Sequence, residues 1–299
     1  MAMRVIKVPG YGAEDVLVGP GGEIYTGTED GIVHRIDPGT GAVKAVADTG
    51  GRPLGIELLP DGRLLVCDAR RGLLAVDPAG GAIEQLAGDM MFCNNAAVAG
   101  DGTIYFSDSS TVHPIAEWRA EVVEVTRTGR LLRRDPGGKV EVLQDGLAFA
   151  NGVALADEFV AVAETATRTV VRHWLSDGRR DFLVTDLPGY PDNISRGSDG
   201  LIWVTIASPR DPLVERIQRG PLWVRRAVTR IPQGLQPAPK RTVRVQAYAA
   251  DGTLVHDLGA EAAGFHMVTG VREHDGDVWL GSLHEPAVAV LPKATSSGG

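Results

Sequence analysis

The chain has 299 residues and a formal net charge of −8 at pH 7, a length that suits two ordinary domains or one ring of repeats. The negative charge argues against a nucleic-acid partner, and no apolar run reaches the roughly 18 residues of a membrane-spanning helix. The N-terminal MAMRVIKVPG lacks the apolar core of a signal peptide. With only Cys67 and Cys93 present, a reducing, cytoplasmic location is expected, although a single disulfide remains open.

A short phrase, a glycine-containing turn followed by one residue and two or three apolar ones, recurs along the chain. It reads GGEIYT at 21–26, DGRLLV at 61–66, DGTIYF at 101–106, DGLIWV at 199–204 and DGDVWL at 275–280. A degenerate copy, NGVALADEFVAV, begins at Asn151. The first three turn glycines follow at intervals of 40 residues, and such a period is typical of a propeller with four-stranded blades. We therefore predict an all-β, six-bladed β-propeller as one domain over 1–294, with a disordered tail at 295–299.

Three segments complete this prediction. The run RVIKV at 4–8 is expected to pair with the last blade and close the ring, which removes an open sheet edge. Extra residues at 113–121 form a first insertion. A second, Pro-rich one at 211–241 has apolar residues at helical spacing with arginines between them, and Gly220-Pro221 divides it into two short helices over about 211–236. It is interpreted as a lid, as a membrane-surface or partner-binding element over 211–231, or as an inert insertion. Trp118 is expected to pack within a blade.

The predicted first residues of the innermost strands share an unusual chemistry. Four of these six positions carry an oxygen-bearing side chain, namely Glu14, Asn94, Asn151 and Asp192, whereas the other two are Leu54 and Val268. Innermost strands of a propeller meet at the central channel, so these side chains are predicted to converge. Carboxylate and amide oxygens, with those of Asn193 added, suit a central Ca²⁺ ion. The alternative is that each side chain caps a turn or bonds a neighbouring backbone amide.

Four longer phrases carry a family resemblance. They are MMFCNNAAVAGDGTIYFSDSS at 90–110, GLAFANGVAL at 146–155, LPGYPDNISRGSDGLIWV at 187–204 and VREHDGDVWLGSL at 271–283. Together they resemble the strictosidine synthase-like branch of the calcium-dependent propellers, a superfamily that includes gluconolactonase/regucalcin and paraoxonase. The resemblance covers roughly residues 13–292. It implies one catalytic Ca²⁺ held by Glu14, Asn94, Asn151 and Asp192, with Asn193 as an extra ligand, and it places Asn95 where some relatives hold a second ion.

Departures from the relatives narrow the predicted chemistry. Thr269 stands where strictosidine synthase has its catalytic Glu, and Leu54 stands where paraoxonase has a His. The resemblance then favours a metal-dependent lactonase or esterase in which Asp192 acts as base or nucleophile on a small-molecule lactone or ester. Two alternatives are kept, a non-catalytic propeller with a structural metal and a strictosidine synthase-type condensing enzyme. Substrate contacts are predicted at five positions: Leu54, His113, Tyr190, Thr269 and His284.

Overall fold

Six four-stranded antiparallel sheets form the fold in a computed structural model that describes residues 3–231, 240–261 and 264–292. The predicted tail at 295–299 lies outside the described residues. With strands numbered in chain order, blade 1 consists of β2–β5, at Leu17–Val18, Ile24–Gly27, Ile32–Ile36 and Val43–Asp48. Blade 2 consists of β6–β9, at Pro53–Leu58, Leu64–Asp68, Gly72–Val76 and Ile83–Ala87. Blade 3 consists of β10–β13, at Cys93–Val98, Ile104–Asp108, Gly129–Arg134 and Val140–Leu147.

The second half of the ring repeats this arrangement. Blade 4 consists of β14–β17, at Ala150–Leu155, Phe159–Glu164, Thr169–Trp174 and Arg180–Val184. Blade 5 consists of β18–β21, at Gly189–Arg196, Ile202–Pro209, Val243–Tyr248 and Leu254–Ala260. Blade 6 consists of β22–β24 and the N-terminal β1, at Val268–His274, Asp277–Ser282, Ala287–Pro292 and Arg4–Lys7. The prediction of an all-β, six-bladed propeller is confirmed.

The N-terminal strand closes the ring. β1 pairs antiparallel with β24, with Arg4 opposite Val290 and Lys7 opposite Ala287, as predicted from RVIKV. The apolar faces of neighbouring blades then bury one another. Between blades 5 and 6, for example, the fully buried Trp203 packs in one cluster with Phe265 and Val268. Cys67 and Cys93 are buried in the cluster between blades 2 and 3 and are not joined by a disulfide.

One extra residue interrupts the innermost strand in blades 2 to 6. In β10, for instance, Cys93 pairs with Asp108 and Ala96 with Phe106, so three steps on one strand match two on the other. The same shift occurs in β6, β14, β18 and β22. Such a bulge bends the strand and re-aims side chains. In blades 3, 4 and 5 the bulged residues include Asn94, Asn151 and Asp192, so the bulges help aim the predicted ligands.

Glycines inside these bulges let neighbouring blades approach closely at the centre of the ring, which is called the hub below. A Cβ on Gly152 would lie 2.1 Å from the backbone nitrogen of Ile194 in blade 5. A Cβ on Gly270 would lie 2.6 Å from Cα of Asp15. The Asn151-Gly152 pair thus combines a polar side chain with a backbone that has no room for a larger residue.

Helices lie in the two predicted insertions. A 3₁₀ turn at Ile115–Glu117 leads into α1 at Trp118–Glu124, a helix that the sequence did not predict. Trp118 therefore belongs to α1 and not to a blade. The second insertion forms α2 at Pro212–Gln218 and α3 at Leu222–Thr229, split at Gly220-Pro221 as predicted. The part of the predicted insertion at 232–239 lies outside the described residues. Asp211 caps α2, since its side chain accepts hydrogen bonds from the backbone nitrogens of Leu213 and Val214.

Candidate functional site

A cavity of about 790 Å³ joins the start of the innermost strands to the three helices. Its lining brings together four predicted ligands from four different repeats, listed here in chain order: Glu14, Asn94, Asn151 and Asp192. The remaining walls are largely apolar and come from the bulged strands and from α1, α2 and α3. The convergence of these side chains, expected from their matched register, is therefore present in the fold.

Glu14 is held from across the ring. Its two carboxylate oxygens accept hydrogen bonds from Nδ2 of Asn193, at 3.2 and 3.3 Å, although the two residues are 179 positions apart. The hydroxyl of Thr269 donates to the backbone oxygen of Glu14 at 2.8 Å. Blades 5 and 6 thus fix the segment that precedes blade 1. Asn193 itself is buried and does not line the cavity.

Each predicted amide ligand is oriented through its nitrogen. Nδ2 of Asn94 donates to the Ser109 hydroxyl at 2.9 Å, and Nδ2 of Asn151 donates to the Thr165 hydroxyl at 3.1 Å. The Oδ1 atoms of Asn94, Asn151 and Asn193 are all buried without a hydrogen-bond partner. A buried polar atom that lacks a partner is uncommon and costly. Three such oxygens in one cluster point to a ligand that accepts lone pairs.

The donor set fits a hard cation. Two carboxylates and several amide oxygens match the oxygen coordination of Ca²⁺, and no sulfur or imidazole takes part. Within the described ranges, no group of three or more His, Cys, Asp and Glu side chains is placed to hold an ion. The predicted set differs from such a group, because only two of its members are carboxylates and the others are neutral amides.

Burial makes the carboxylates costly to ionise. It raises the pKa of Glu14 well above its ordinary value, reinforced by the nearby charges of Asp192 and Asp15 and opposed by the buried Arg52. Burial likewise raises the pKa of Asp192 to about 7, with the Asn151 amide opposing the shift. A divalent cation among these groups would favour their charged forms and reverse the effect.

Asp15 and Asn95 form a second polar chain at the hub, which the sequence reasoning did not identify as a unit. Oδ2 of Asp15 accepts from the backbone nitrogen of Ile56 at 3.1 Å and from Nδ2 of Asn95 at 3.4 Å. Oδ1 of Asn95 accepts from the backbone nitrogen of Val153 at 2.9 Å. Both ends of the Asn95 amide are therefore satisfied by protein, which distinguishes Asn95 from the predicted ligands. The only sequence signal was the pairing of polar residues, Glu14-Asp15 and Asn94-Asn95.

The predicted substrate residues divide into two groups. Leu54, His113 and Tyr190 line the cavity. Thr269 and His284 do not belong to the lining within the described residues. Thr269 is fully buried against Glu14, and the His284 ring lies edge-on to that of His266 at 5.7 Å between centroids. Thr269 lies within the bulge of β22, and His284 follows the end of β23.

His113 is engaged by the helix that follows it. Its Nδ1 lies 2.8 Å from Glu117 and its Nε2 lies 3.3 Å from Glu124. Burial lowers the pKa of His113, but the hydrogen bonds to Glu117 and Glu124 outweigh burial and raise it above the ordinary value. His113 thus contacts the segment that forms the 3₁₀ turn and α1, and it also lines the cavity.

The three helices form one cap over the cavity. Nη1 of Arg225 in α3 donates to the backbone oxygen of Glu124 at 2.9 Å, and the Thr229 hydroxyl donates to the Glu124 carboxylate at 2.9 Å. In α2, Nε2 of Gln218 donates to the backbone oxygen of Val122 at 2.7 Å. α1 is the centre of this cap, so the insertion at 113–121 shapes the site as much as the longer one.

Two family models and several known proteins match the sequence of this chain. Residues 94–178 match the strictosidine synthase family model, and residues 1–36 match that of the strictosidine synthase-like N-terminal region. The adipocyte plasma membrane-associated protein of Salmo salar is 33% identical over 320 residues, covering 93% of this chain and 76% of the relative. Strictosidine synthase-like protein 10 of Arabidopsis thaliana is 34% identical over 259 residues, covering 80% of this chain and 69% of the relative.

Solved structures share the fold at low sequence identity. A gluconolactonase from Xanthomonas campestris superposes with a TM-score of 0.70 at 16% identity, covering 97% of this chain and 89% of that one. The calcium-binding protein regucalcin from Agrobacterium tumefaciens gives a TM-score of 0.69 at 14% identity, covering 98% and 95%. Among the described helices, none has the length and apolar character needed to cross a membrane. The chain belongs to the strictosidine synthase-like family and shares its six-bladed propeller fold with these gluconolactonase and regucalcin structures.

Proposed function

We propose that the protein is a divalent-cation-dependent hydrolase, with Ca²⁺ as the expected ion, that opens a lactone or ester at the hub of the propeller. One observation carries the proposal. Asn94 and Asn151, whose buried amide oxygens have no partner, line a largely apolar cavity together with the carboxylates of Glu14 and Asp192. The third such oxygen belongs to Asn193, whose amide nitrogen donates to Glu14. The fold shared with a gluconolactonase and with the calcium-binding regucalcin adds support.

The ion would be held by Glu14, Asn94, Asn151 and Asp192, with Oδ1 of Asn193 within the same cluster. When bound, a divalent cation supplies Lewis acidity and stabilises negative charge that develops on a carbonyl oxygen. The protein side chains contribute pre-orientation, because Ser109, Thr165 and the Asn193 amide already fix Asn94, Asn151 and Glu14. Little reorganisation is then needed on binding.

Asp192 is the carboxylate placed for the chemistry. It is partly exposed and lines the cavity, whereas Glu14 is almost fully buried. As general base Asp192 would take a proton from the water that attacks the carbonyl carbon, and the ester C–O bond would break with the alkoxide protonated as it leaves. As nucleophile its Oδ atom would attack that carbon and expel the same alkoxide, and water would then hydrolyse the acyl group from Asp192. Phe92, Phe149 and Tyr190 form apolar wall beside it, which limits the access of bulk water.

The strictosidine synthase-type condensation is not favoured by this site. The position of its catalytic carboxylate is Thr269, and that hydroxyl is buried and donates to the backbone of Glu14. A threonine cannot replace a carboxylate in proton transfer at neutral pH. A non-catalytic propeller with a structural ion remains the second candidate, because the same ligand set joins four repeats and would stabilise the ring by mass action.

A panel of lactones and aryl esters, assayed with chelator and with added Ca²⁺, tests the proposal. Asp192→Asn keeps an oxygen for the ion but removes the base or nucleophile, so turnover is expected to fall by about 100-fold or more. Asp157→Asn is the matched control, since that carboxylate lies on the surface with its side chain 81% exposed. Equal rates in chelator and in Ca²⁺, or wild-type turnover in Asp192→Asn, would refute the hydrolase.

A further inference from the structure

Helices α2 and α3 expose large apolar side chains on their outer face and at the mouth of the cavity. Trp223 is 74% exposed, the highest value for any large hydrophobic residue among those described, and Leu213 and Leu222 are 53% and 44% exposed. Ile231, directly after α3, is 41% exposed. Exposed apolar residues are normal when scattered, but here they occupy one short segment and so indicate an interaction surface.

Arginines surround these apolar residues. Residues 211–231 contain five arginines and two acidic residues, a net charge of +3 in a chain whose net charge is −8. The side chains of Arg219 and Arg226 are 79% and 57% exposed. The two acids are committed locally, because Asp211 caps α2 and Glu215 contacts Arg210 at 2.6 Å. Arg219 lies 3.6 Å from Glu215 and Arg226 lies 3.5 Å from Glu124, yet both arginine side chains stay exposed, so a partner can still reach the net positive charge of this face.

The inner side of the same helices is already occupied. Arg225 and Thr229 bind Glu124, and Gln218 binds the backbone of α1 and of blade 4. The exposed apolar residues are therefore not the side of the helices that packs against the propeller. Leu213 and Ile231 also line the cavity while remaining exposed, so the rim of the cavity mouth is apolar on the side of this face.

We propose that the outer face of α2 and α3 docks on an anionic lipid surface, with Trp223 and Leu222 at the interface and the flanking arginines on the headgroups. Amphipathic helices that combine Trp and Leu with arginine lie in the interface plane, and anionic headgroups attract each basic side chain near the surface. A second copy of the chain is a poorer occupant, because a two-fold contact would place two positive faces together. The docking does not depend on the hydrolase activity.

Flotation of the purified chain with vesicles tests this docking. The wild type is expected to float with phosphatidylcholine vesicles that contain phosphatidylserine, to bind pure phosphatidylcholine vesicles far less, and to be released by high salt. Trp223→Ser is expected to abolish most of the flotation. Arg216→Gln and Arg230→Gln are each expected to weaken binding about fivefold, the equivalent of one basic residue at the surface.

Phe182→Ser is the matched control, since Phe182 is 49% exposed on β17, away from the cap. It is expected to float like the wild type. Equal melting temperatures for the three serine and glutamine cap variants and the wild type establish that folding is unchanged. Failure of the wild type to bind anionic vesicles, or wild-type flotation by Trp223→Ser, overturns the proposal. So does a dimer in sedimentation velocity that Trp223→Ser dissociates, because it would assign this face to a second copy.

Discussion

Replacing Asn94 with leucine separates an ion ligand from an ordinary core amide. Without an ion, Oδ1 of Asn94 is a buried acceptor with no partner, which costs about 1–3 kcal/mol. Leucine removes that cost and gives up only the hydrogen bond to Ser109, worth about 1 kcal/mol. We therefore expect the ion-free Asn94→Leu protein to melt at the same temperature as the wild type or above it.

Added Ca²⁺ should then distinguish the two proteins. At about 100 times its dissociation constant, an ion stabilises the folded wild type by about 2.7 kcal/mol. For a chain of this size this raises the melting temperature by about 5 °C. Asn94→Leu lacks one ligand oxygen and is expected to lose most of the rise. Calorimetry in chelator and in a Ca²⁺ series measures both values.

Asn95→Leu is the control for this comparison. Both ends of the Asn95 amide bind protein, so its loss leaves the Val153 nitrogen and the Asp15 carboxylate without their partner. The ion-free melting temperature is expected to fall by about 3–8 °C, while the response to Ca²⁺ persists. The reasoning is refuted if Asn94→Leu retains the full response, or if it destabilises the ion-free protein as much as Asn95→Leu.

Two further predictions concern the hub and the cap. Gly152→Ala places a Cβ 2.1 Å from the Ile194 nitrogen, so it is expected to destabilise the fold by about 1–3 kcal/mol or more. It should also weaken Ca²⁺ binding, because it displaces Asn193. Gly100→Ala is the neutral control in the same denaturation experiment, since no atom lies within 4 Å of the added Cβ. The raised pKa of His113 means that its charged contacts with Glu117 and Glu124 stabilise the fold fully below the ordinary value of 6.5 and are lost as pH rises through the higher folded value. The melting temperature of the wild type minus that of His113→Gln should therefore fall between mildly acidic and alkaline pH, and a flat difference would contradict the assignment.

The repeat made most of the fold predictable from the sequence. Turn spacing and strand register are local properties that recur in every repeat. They predict the number of blades, the closure of the ring by 4–7 and the convergence of Glu14 with Asp192. The division of the second insertion at Gly220-Pro221 could also be predicted from the sequence, because proline favours the first position of a helix.

Features that depend on contacts between blades could not be predicted from the sequence. The bulges add one residue without changing the period, so they leave the spacing of the turns intact. Thr269 lies in one of these bulges and donates to the backbone of Glu14 instead of lining the cavity. α1 was missed because seven residues carry too little periodicity, and it is stabilised by α3, which lies more than 100 residues further along the chain.

The two blades that lack an oxygen ligand bear on what kind of ion the hub would hold. Blade 2 presents Leu54 to the cavity, and the corresponding residue of blade 6 is the fully buried Val268. The protein oxygens therefore come from blades 3, 4 and 5 and, across the ring, from Glu14 just before blade 1. With one oxygen from each side chain the set is smaller than the six to eight that Ca²⁺ normally takes, and water or substrate would complete it. A purely structural ion is closed by protein ligands, whereas a catalytic one keeps open positions. The four predicted ligands all line one cavity, so the remaining coordination positions of an ion would face that cavity. This arrangement favours a catalytic ion over a structural one, and ordered water on the ion in a Ca²⁺-loaded crystal structure is the expected observation.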